Sequence, residues 1–229
     1  MAAVSGLIRV MEKAARKAGG KLRRDFGEIA HLQVSQKGPA DFVSKADLRS
    51  ERTLYDELKT ARPGWGFVME EAGTIEGEAD APRWIIDPLD GTSNFLHGIP
   101  HFAISIAAQE RTLDGRGWGD VVAGVVYNPI TDETFWAEKS RGAWLHDARL
   151  RVSGRRYLGE ALIATGIPYG GHGDFAEWAR IFGAIGPQVA GIRRFGAASL
   201  DLAWVAAGRF DGFWETDLAD WDTAAGVLI

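Results

Sequence analysis

Trp84-Ile85-Ile86-Asp87-Pro88-Leu89-Asp90-Gly91-Thr92-Ser93-Asn94-Phe95 carries more structural and chemical information than any other stretch of the chain. Its apolar start, with two β-branched isoleucines, predicts a buried strand. That strand runs into two aspartates three residues apart, then a glycine and two hydroxyl residues. Pro88 stiffens the turn so that both carboxylates face one point, with the Leu89 carbonyl between them as a further hard oxygen. Gly91 lets the backbone approach a ligand closely. The amides of Gly91 and Thr92 would open a short helix whose N-terminus suits a phosphate. An Asp-Gly-Thr-Ser run also serves as an ordinary capped turn, so the stretch alone leaves a plain strand-to-helix connection open.

Upstream, residues 66–69 read as a second strand that ends at Glu70-Glu71, so one of these acids can reach the same strand-end face. Residues 73–82 read as a small polar loop. A helix should begin near Lys45 and stop at Pro63-Gly64. Residues 2–30 read as one long helix, with Val4, Leu7, Ile8, Met11, Ala14 and Ala15 at helical spacing and a break or bend near Gly19-Gly20. Downstream, alternation over residues 101–145 predicts an antiparallel meander, with turns at Asp114-Gly115, Asn128-Pro129 and Arg141-Gly142.

After about residue 155 the pattern becomes strand–helix alternation: strands at 161–165 and 210–214, helices at 174–184 and 197–207. The expectation is a layered sandwich of alternating α and β layers, an α+β part with an antiparallel sheet followed by a smaller α/β part. Residues 1–155 would carry most of the acids and 156–229 the rest, in one compact unit without a linker. The chain ends at Gly226-Val227-Leu228-Ile229 inside a predicted helix, so the natural protein is expected to continue.

Bulk properties narrow the function classes. A net charge of -5 provides no basic nucleic-acid footprint. The absence of cysteine excludes disulfides, thiolate metal sites and a cysteine nucleophile, and fits a cytoplasmic setting. The longest apolar run, residues 102–108, is interrupted by Ser105 and is too short to span a membrane. The N-terminus has no signal-peptide core, although its basic residues also admit an organelle presequence.

Further acids lie apart in sequence. Asp222 follows Trp221 at the start of the terminal helix, and Asp41 and Asp47 flank Phe42-Val43-Ser44. Each has a structural reading: a solvated loop charge for Glu70 or Glu71, an N-cap for Asp222, a first-turn acid for Asp47. A set of oxygen donors without thiolate or clustered histidine selects a hard ion, favouring Mg²⁺ over Zn²⁺. A pair of such ions, about 3.5–4 Å apart, could acidify a water and neutralise a leaving oxygen.

Asp41-Phe42-Val43-Ser44-Lys45-Ala46-Asp47, Met69-Glu70-Glu71, Asp87-Pro88-Leu89-Asp90-Gly91-Thr92 and Trp221-Asp222-Thr223-Ala224-Ala225-Gly226 occur in that order. Together they resemble the inositol monophosphatase family of lithium-sensitive, magnesium-dependent phosphatases. The resemblance implies a layered fold, a homodimer, two or three Mg²⁺ ions and a small phosphorylated polyol as substrate. It implies Glu70, Asp87, the Leu89 carbonyl, Asp90 and Asp222 as metal ligands. Asp47 and Thr92, with Glu70, would serve catalysis by orienting and deprotonating the attacking water. Gly91 and Thr92 would hold the phosphate, with Asp90, Ala198, Glu215 and Asp222 on the substrate side.

Some residues depart from the pattern. Arg193-Arg194-Phe195-Gly196-Ala197-Ala198-Ser199 resembles the bacterial branch, where vertebrate members have Gly-Thr-Ala-Ala, and the loop at 165–173 lacks the serine often used to contact the alcohol. Fructose 1,6-bisphosphate, histidinol phosphate and 3′-phosphoadenosine 5′-phosphate therefore stand as alternatives to inositol monophosphate. Some bacterial relatives are implicated in transcription complexes, so a regulatory binding protein of the same fold is a further alternative, as is a calcium-stabilised, non-catalytic site. Arg193 and Arg194 stay open between phosphate binding and a surface or dimer contact.

Overall fold

The computed structural model describes residues 4–28, 34–36, 42–112, 114–168, 170–171 and 173–229. Asp41, one of the acids singled out above, lies outside them.

The first element, α1 (Gly6–Gly27), starts at Ser5, whose hydroxyl accepts the Ile8 N–H at 3.2 Å. Its buried residues, Ile8, Met11, Ala14, Ala15, Ala18 and Leu22, fall on one face at three- and four-residue steps. The expected break at Gly19-Gly20 does not occur, and α1 is continuous. Gly19 is there for packing: a Cβ at this position would fall 2.6 Å from Tyr127 Cε1, so the helix lies directly on a tyrosine ring.

Strands β1 (Val34–Gln36) and β2 (Phe42–Ser44) form a small antiparallel pair, and α2 (Lys45–Ala61) follows as predicted. The main sheet then assembles from β3 (Gly66–Met69), β4 (Gly73–Ile75), β5 (Arg83–Asp90), β6 (Ala103–Arg111), β7 (Trp118–Asn128), β8 (Glu133–Glu138), β9 (Gly142–Leu145) and β10 (Ala148–Arg149). Its order is β10-β9-β8-β7-β6-β5-β3-β4, antiparallel throughout except for the β3–β5 pair. The loop expected at 73–82 thus contains a short exposed edge strand, β4.

Alternate residues of β5 feed two cores, as a period of two requires. Trp84 and Ile86 pack with Ile8, Met11, Leu54 and Leu58 beneath α1 and α2. Ile85 packs with Leu200, Ala203 and Ala225, which belong to α5 (Ala198–Ala206) and α6 (Asp220–Leu228) on the opposite face. Each fully buried side chain of this size contributes about 1.5–3 kcal/mol. A second sheet, of β11 (Leu162–Thr165), β12 (Gly191–Arg193) and β13 (Gly212–Trp214), is parallel in the order β12-β11-β13, with α4 (Phe175–Ile185) between its first two strands in sequence. The result is a mixed, layered α/β fold. No helix among the described residues is long and apolar enough to cross a membrane.

Candidate functional site

β5 does not end at Ile86. It continues to Asp90, and its register against β6 slips between Asp87 and Asp90. β3 pairs with β5 only from Arg83 to Ile86, so the proline that follows, which has no N–H, takes no bond from the ladder. The expected stiff turn is therefore a bulge inside a strand. The Ser50 hydroxyl donates to the Pro88 carbonyl at 2.8 Å and fixes it from α2. Leu89 N–H turns back onto Asp87 Oδ1 at 2.9 Å. Gly91 then takes φ 92°, a left-handed value that a side chain would strain, and opens α3 (Thr92–Leu96).

Asp90 is held by a second element more than a hundred residues away. Ala198 N–H donates to Oδ1 at 3.2 Å, while Ser199 gives Oδ2 both its N–H at 2.8 Å and its hydroxyl at 2.5 Å. These donors sit in the first turn of α5, where unpaired amides and the helix dipole favour an anion. Asn94 joins the same regions. Its Nδ2 donates to the carbonyls of His101 at 2.8 Å and Phe195 at 2.7 Å.

On the other side, Asp47, Glu70 and Glu71 each offer a carboxylate oxygen within 4.8 Å of the other two. Glu51 shapes this corner by accepting the N–H groups of Glu71 at 2.9 Å and Ala72 at 3.0 Å. Thr92 Oγ1 donates to the Leu89 carbonyl at 2.9 Å and stands 3.4 Å from Asp47 Oδ2. Asp222, in the first turn of α6, accepts the Ala219 N–H at 2.7 Å.

These groups surround a cavity of about 340 Å³, within the usual small-ligand range. Glu70, Asp87, Leu89, Asp90, Gly91, Thr92, Ala198, Glu215 and Asp222 all line it. Asp47 does not. It is 1% exposed and lies behind Thr92, so it meets the cavity through that hydroxyl. The Ala198 N–H is taken by Asp90 and is not free for a ligand. Glu215 lies against Gly166, where an added Cβ would overlap its carboxylate.

The acids are electrostatically loaded. Asp87, 2% exposed, is pushed well above the usual carboxylate range, first by burial and then by Glu70, Asp90, Asp222 and Asp47. Burial raises Asp90 to about 6 against the pull of its Ser199 hydrogen bond. Glu215 rises to about 7 through burial and the charge of Asp90, with Arg194 opposing. Asp222 is also raised by burial, offset by the Ala219 N–H. Converging buried carboxylates of this kind resist ionising together unless cations enter among them. A hard divalent cation with all-oxygen ligands fits this donor set.

Ser50, Glu51, Asn94 and Ser199 support the site and were not among the sequence candidates. Ser199 had a signal, its place in the Gly196 to Ser199 run, but nothing local tied it to Asp90.

The family model described as "Inositol monophosphatase family" matches residues 4–229. The chain is 56% identical to a Caulobacter vibrioides protein named inositol-1-monophosphatase, over 96% of this chain and 84% of that protein. It is 42% identical to a Pseudomonas aeruginosa protein named Nus factor SuhB, over 97% of this chain and 81% of that one. A crystal structure of extragenic suppressor protein suhB from Bartonella henselae superposes with a TM-score of 0.91 at 53% identity, over 98% of this chain and 83% of that chain.

Proposed function

The chain belongs to the inositol monophosphatase family, and from that premise we propose that it hydrolyses a small phosphate monoester, inositol monophosphate first, with Mg²⁺. The observation that carries this reading is the gathering of Glu70, Asp90, Asp222 and Asp47 around the charge of Asp87. Asp87 with Glu70, Asp90, Asp222 and the Leu89 carbonyl would hold two or three ions. When bound, Mg²⁺ supplies neutralisation of the phosphate dianion and a more acidic water.

The chain's own groups do the rest. The amides of Gly91 and Thr92 receive the phosphate oxygens. Thr92 Oγ1 accepts a hydrogen bond from the attacking water and turns its own proton from the Leu89 carbonyl to Asp47 Oδ2, 3.4 Å away. The water oxygen bonds to phosphorus as one of its protons passes by way of Thr92 to Asp47, the P–O bond to the alcohol breaks, and the alkoxide takes a proton from solvent water, to which Asp47 returns its own. Glu215 accepts a hydroxyl of the polyol from the wall beside Gly166. A cytoplasmic homodimer with lithium sensitivity belongs to the same proposal.

Phosphate release from inositol 1-phosphate, titrated with Mg²⁺, tests the reading. Turnover should depend on Mg²⁺ and fall about 100-fold or more in Asp87→Asn, because several kcal/mol of charge stabilisation depend on that ligand. Equal rates in variant and parent would remove Asp87 from the chemistry, and faster turnover of 3′-phosphoadenosine 5′-phosphate would overturn the substrate choice. A second reading, a regulatory binding protein of this fold, draws on the identity to Nus factor SuhB proteins. It predicts that Asp87→Asn leaves that role intact, and the two roles are compatible.

A further inference from the structure

Residues 166–168 and 215–218 form one stretch of the cavity wall, and they come from the ends of β11 and β13. These strands pair in parallel, with Thr165 opposite Trp214, so Gly166 and Glu215 leave the sheet side by side. A side chain at 166 would not fit there. Its Cβ would fall 1.8 Å from Glu215 Oε1 and 1.9 Å from Cδ, so the carboxylate fills the space that a methyl group would need. Gly166 is not among the glycines with positive φ. Close approach, and not backbone conformation, therefore calls for a glycine. The same loop meets the same strand end again at Gly173, whose N–H donates to Asp217 Oδ2 at 2.6 Å.

Gly166 is also held from behind. Thr165, 1% exposed, donates its hydroxyl to the Gly166 carbonyl at 2.8 Å and accepts the indole N–H of Trp178 at 3.1 Å. Trp178 belongs to α4, which contributes nothing to the cavity wall. Its ring stacks on Phe175 and Phe182, with centroids 5.6 Å and 5.0 Å away, which stiffens the donor. A hydroxyl that accepts from one element and donates to another fixes both. The order Trp178, Thr165, Gly166, Glu215 thus leads from an outer helix to the cavity. Residues 165–173 contain no serine to offer an alcohol; what this loop supplies at Gly166 is room.

We propose that Gly166 is a positioning residue for substrate choice: held by Thr165 and Trp178, it leaves its side-chain space to Glu215 and so sets the depth at which that carboxylate meets the hydroxyls of a polyol. The inference rests on the phosphatase reading above and on the hydroxyl-accepting place of Glu215 in it. The three heavy atoms nearest a Cβ on Gly166 all belong to Glu215, so a methyl group there displaces that side chain first. Misplacing a charged acceptor forfeits its hydrogen bond to the alcohol, which corresponds to about tenfold or more in kcat/KM.

Two esters test this with the full chain and Mg²⁺: inositol 1-phosphate, and phenyl phosphate, whose leaving group has no further hydroxyl. The ratio of their kcat/KM values should fall about tenfold in Gly166→Ala, mainly through KM for the inositol ester. Glu215→Gln should lower the same ratio, and the double variant should fall no further than the worse single one. Gly166→Ala with Glu215→Asp, one methylene shorter, should recover part of the loss. A ratio unchanged in Gly166→Ala, or two losses that simply add, overturns the assignment, as does a ratio that Glu215→Gln leaves alone. If Gly166→Ala misfolds, Thr165→Val carries the test, since it cuts the hydroxyl link. A fall of about threefold supports the inference and an unchanged ratio refutes it. Absence of turnover on both esters in the wild-type chain sinks the phosphatase reading itself, and this inference with it.

Discussion

Ser199→Ala tests how the candidate metal ligands are aimed. Ser199 is fully buried and gives Asp90 Oδ2 two hydrogen bonds, of which the variant removes only the hydroxyl one at 2.5 Å. Asp90 keeps the N–H groups of Ala198 and Ser199. The loss is therefore one charge-assisted bond, about 1.5–3 kcal/mol if nothing relaxes and nearer 1 kcal/mol with two amide donors remaining. In a chain of this length, 1 kcal/mol lowers the melting temperature by about 2–4 °C. The larger effect should be on the ion. The hydroxyl bond lowers the Asp90 pKa, so its removal raises a value already near 6 and frees the carboxylate to rotate. Loss of an orienting partner of this kind weakens metal binding about 10- to 100-fold. The assay is phosphate release against Mg²⁺ concentration at pH 7.5, with melting followed in a chelator. A half-saturating Mg²⁺ concentration unchanged within twofold would refute the claim that α5 aims Asp90 at an ion.

Asp201 supports a pH prediction. It is 1% exposed, neither carboxylate oxygen has a hydrogen-bond partner among the described residues, and burial, then Asp90 and Glu215, push it up to about 8. A folded-state pKa above the ordinary 3.8 means that the fold favours the neutral acid, so this stability is complete at low pH and is lost as pH rises towards 8. Asp201→Asn should therefore gain on the parent by up to about 4 kcal/mol between pH 5 and pH 8 in chelator-treated urea melts, and a gap independent of pH counts against it. Gly19→Ala should cost about 1–3 kcal/mol despite alanine's helix propensity, because its methyl meets the Tyr127 ring. A more stable Gly19→Ala in the same melts would show that α1 can move off β7.

The acidic segments of the candidate site were legible because each lies in a short local pattern. An apolar strand ending in acids, or an aspartate in a first helical turn, announces itself within a few residues, and the resemblance joined those segments into one site. What was not legible depends on distant partners. Pro88 suggested a stop to β5, yet β3 leaves that side of the strand after Ile86, so a residue without an N–H fits a bulge there. Gly19-Gly20 suggested a break in α1, while the cause of Gly19 is a ring in β7 more than a hundred residues away. Ser199 and Asn94 carry no sequence mark of their contacts, since a serine or asparagine pattern does not reveal which carboxylate or carbonyl will fold against it. Asp47 stands 3.4 Å from Thr92 Oγ1, and periodicity could not tell that it would lie one side chain back from the cavity.

The Asn94 amide, shared between His101 and Phe195, has a consequence for how the pocket assembles. It ties the loop before α5 to the sheet-borne half of the site by neutral hydrogen bonds, which neither titrate nor depend on an ion. The two walls are thus joined by bonds that a cation neither makes nor breaks. A cation entering such a site would find the halves already in register, its energy kept for binding.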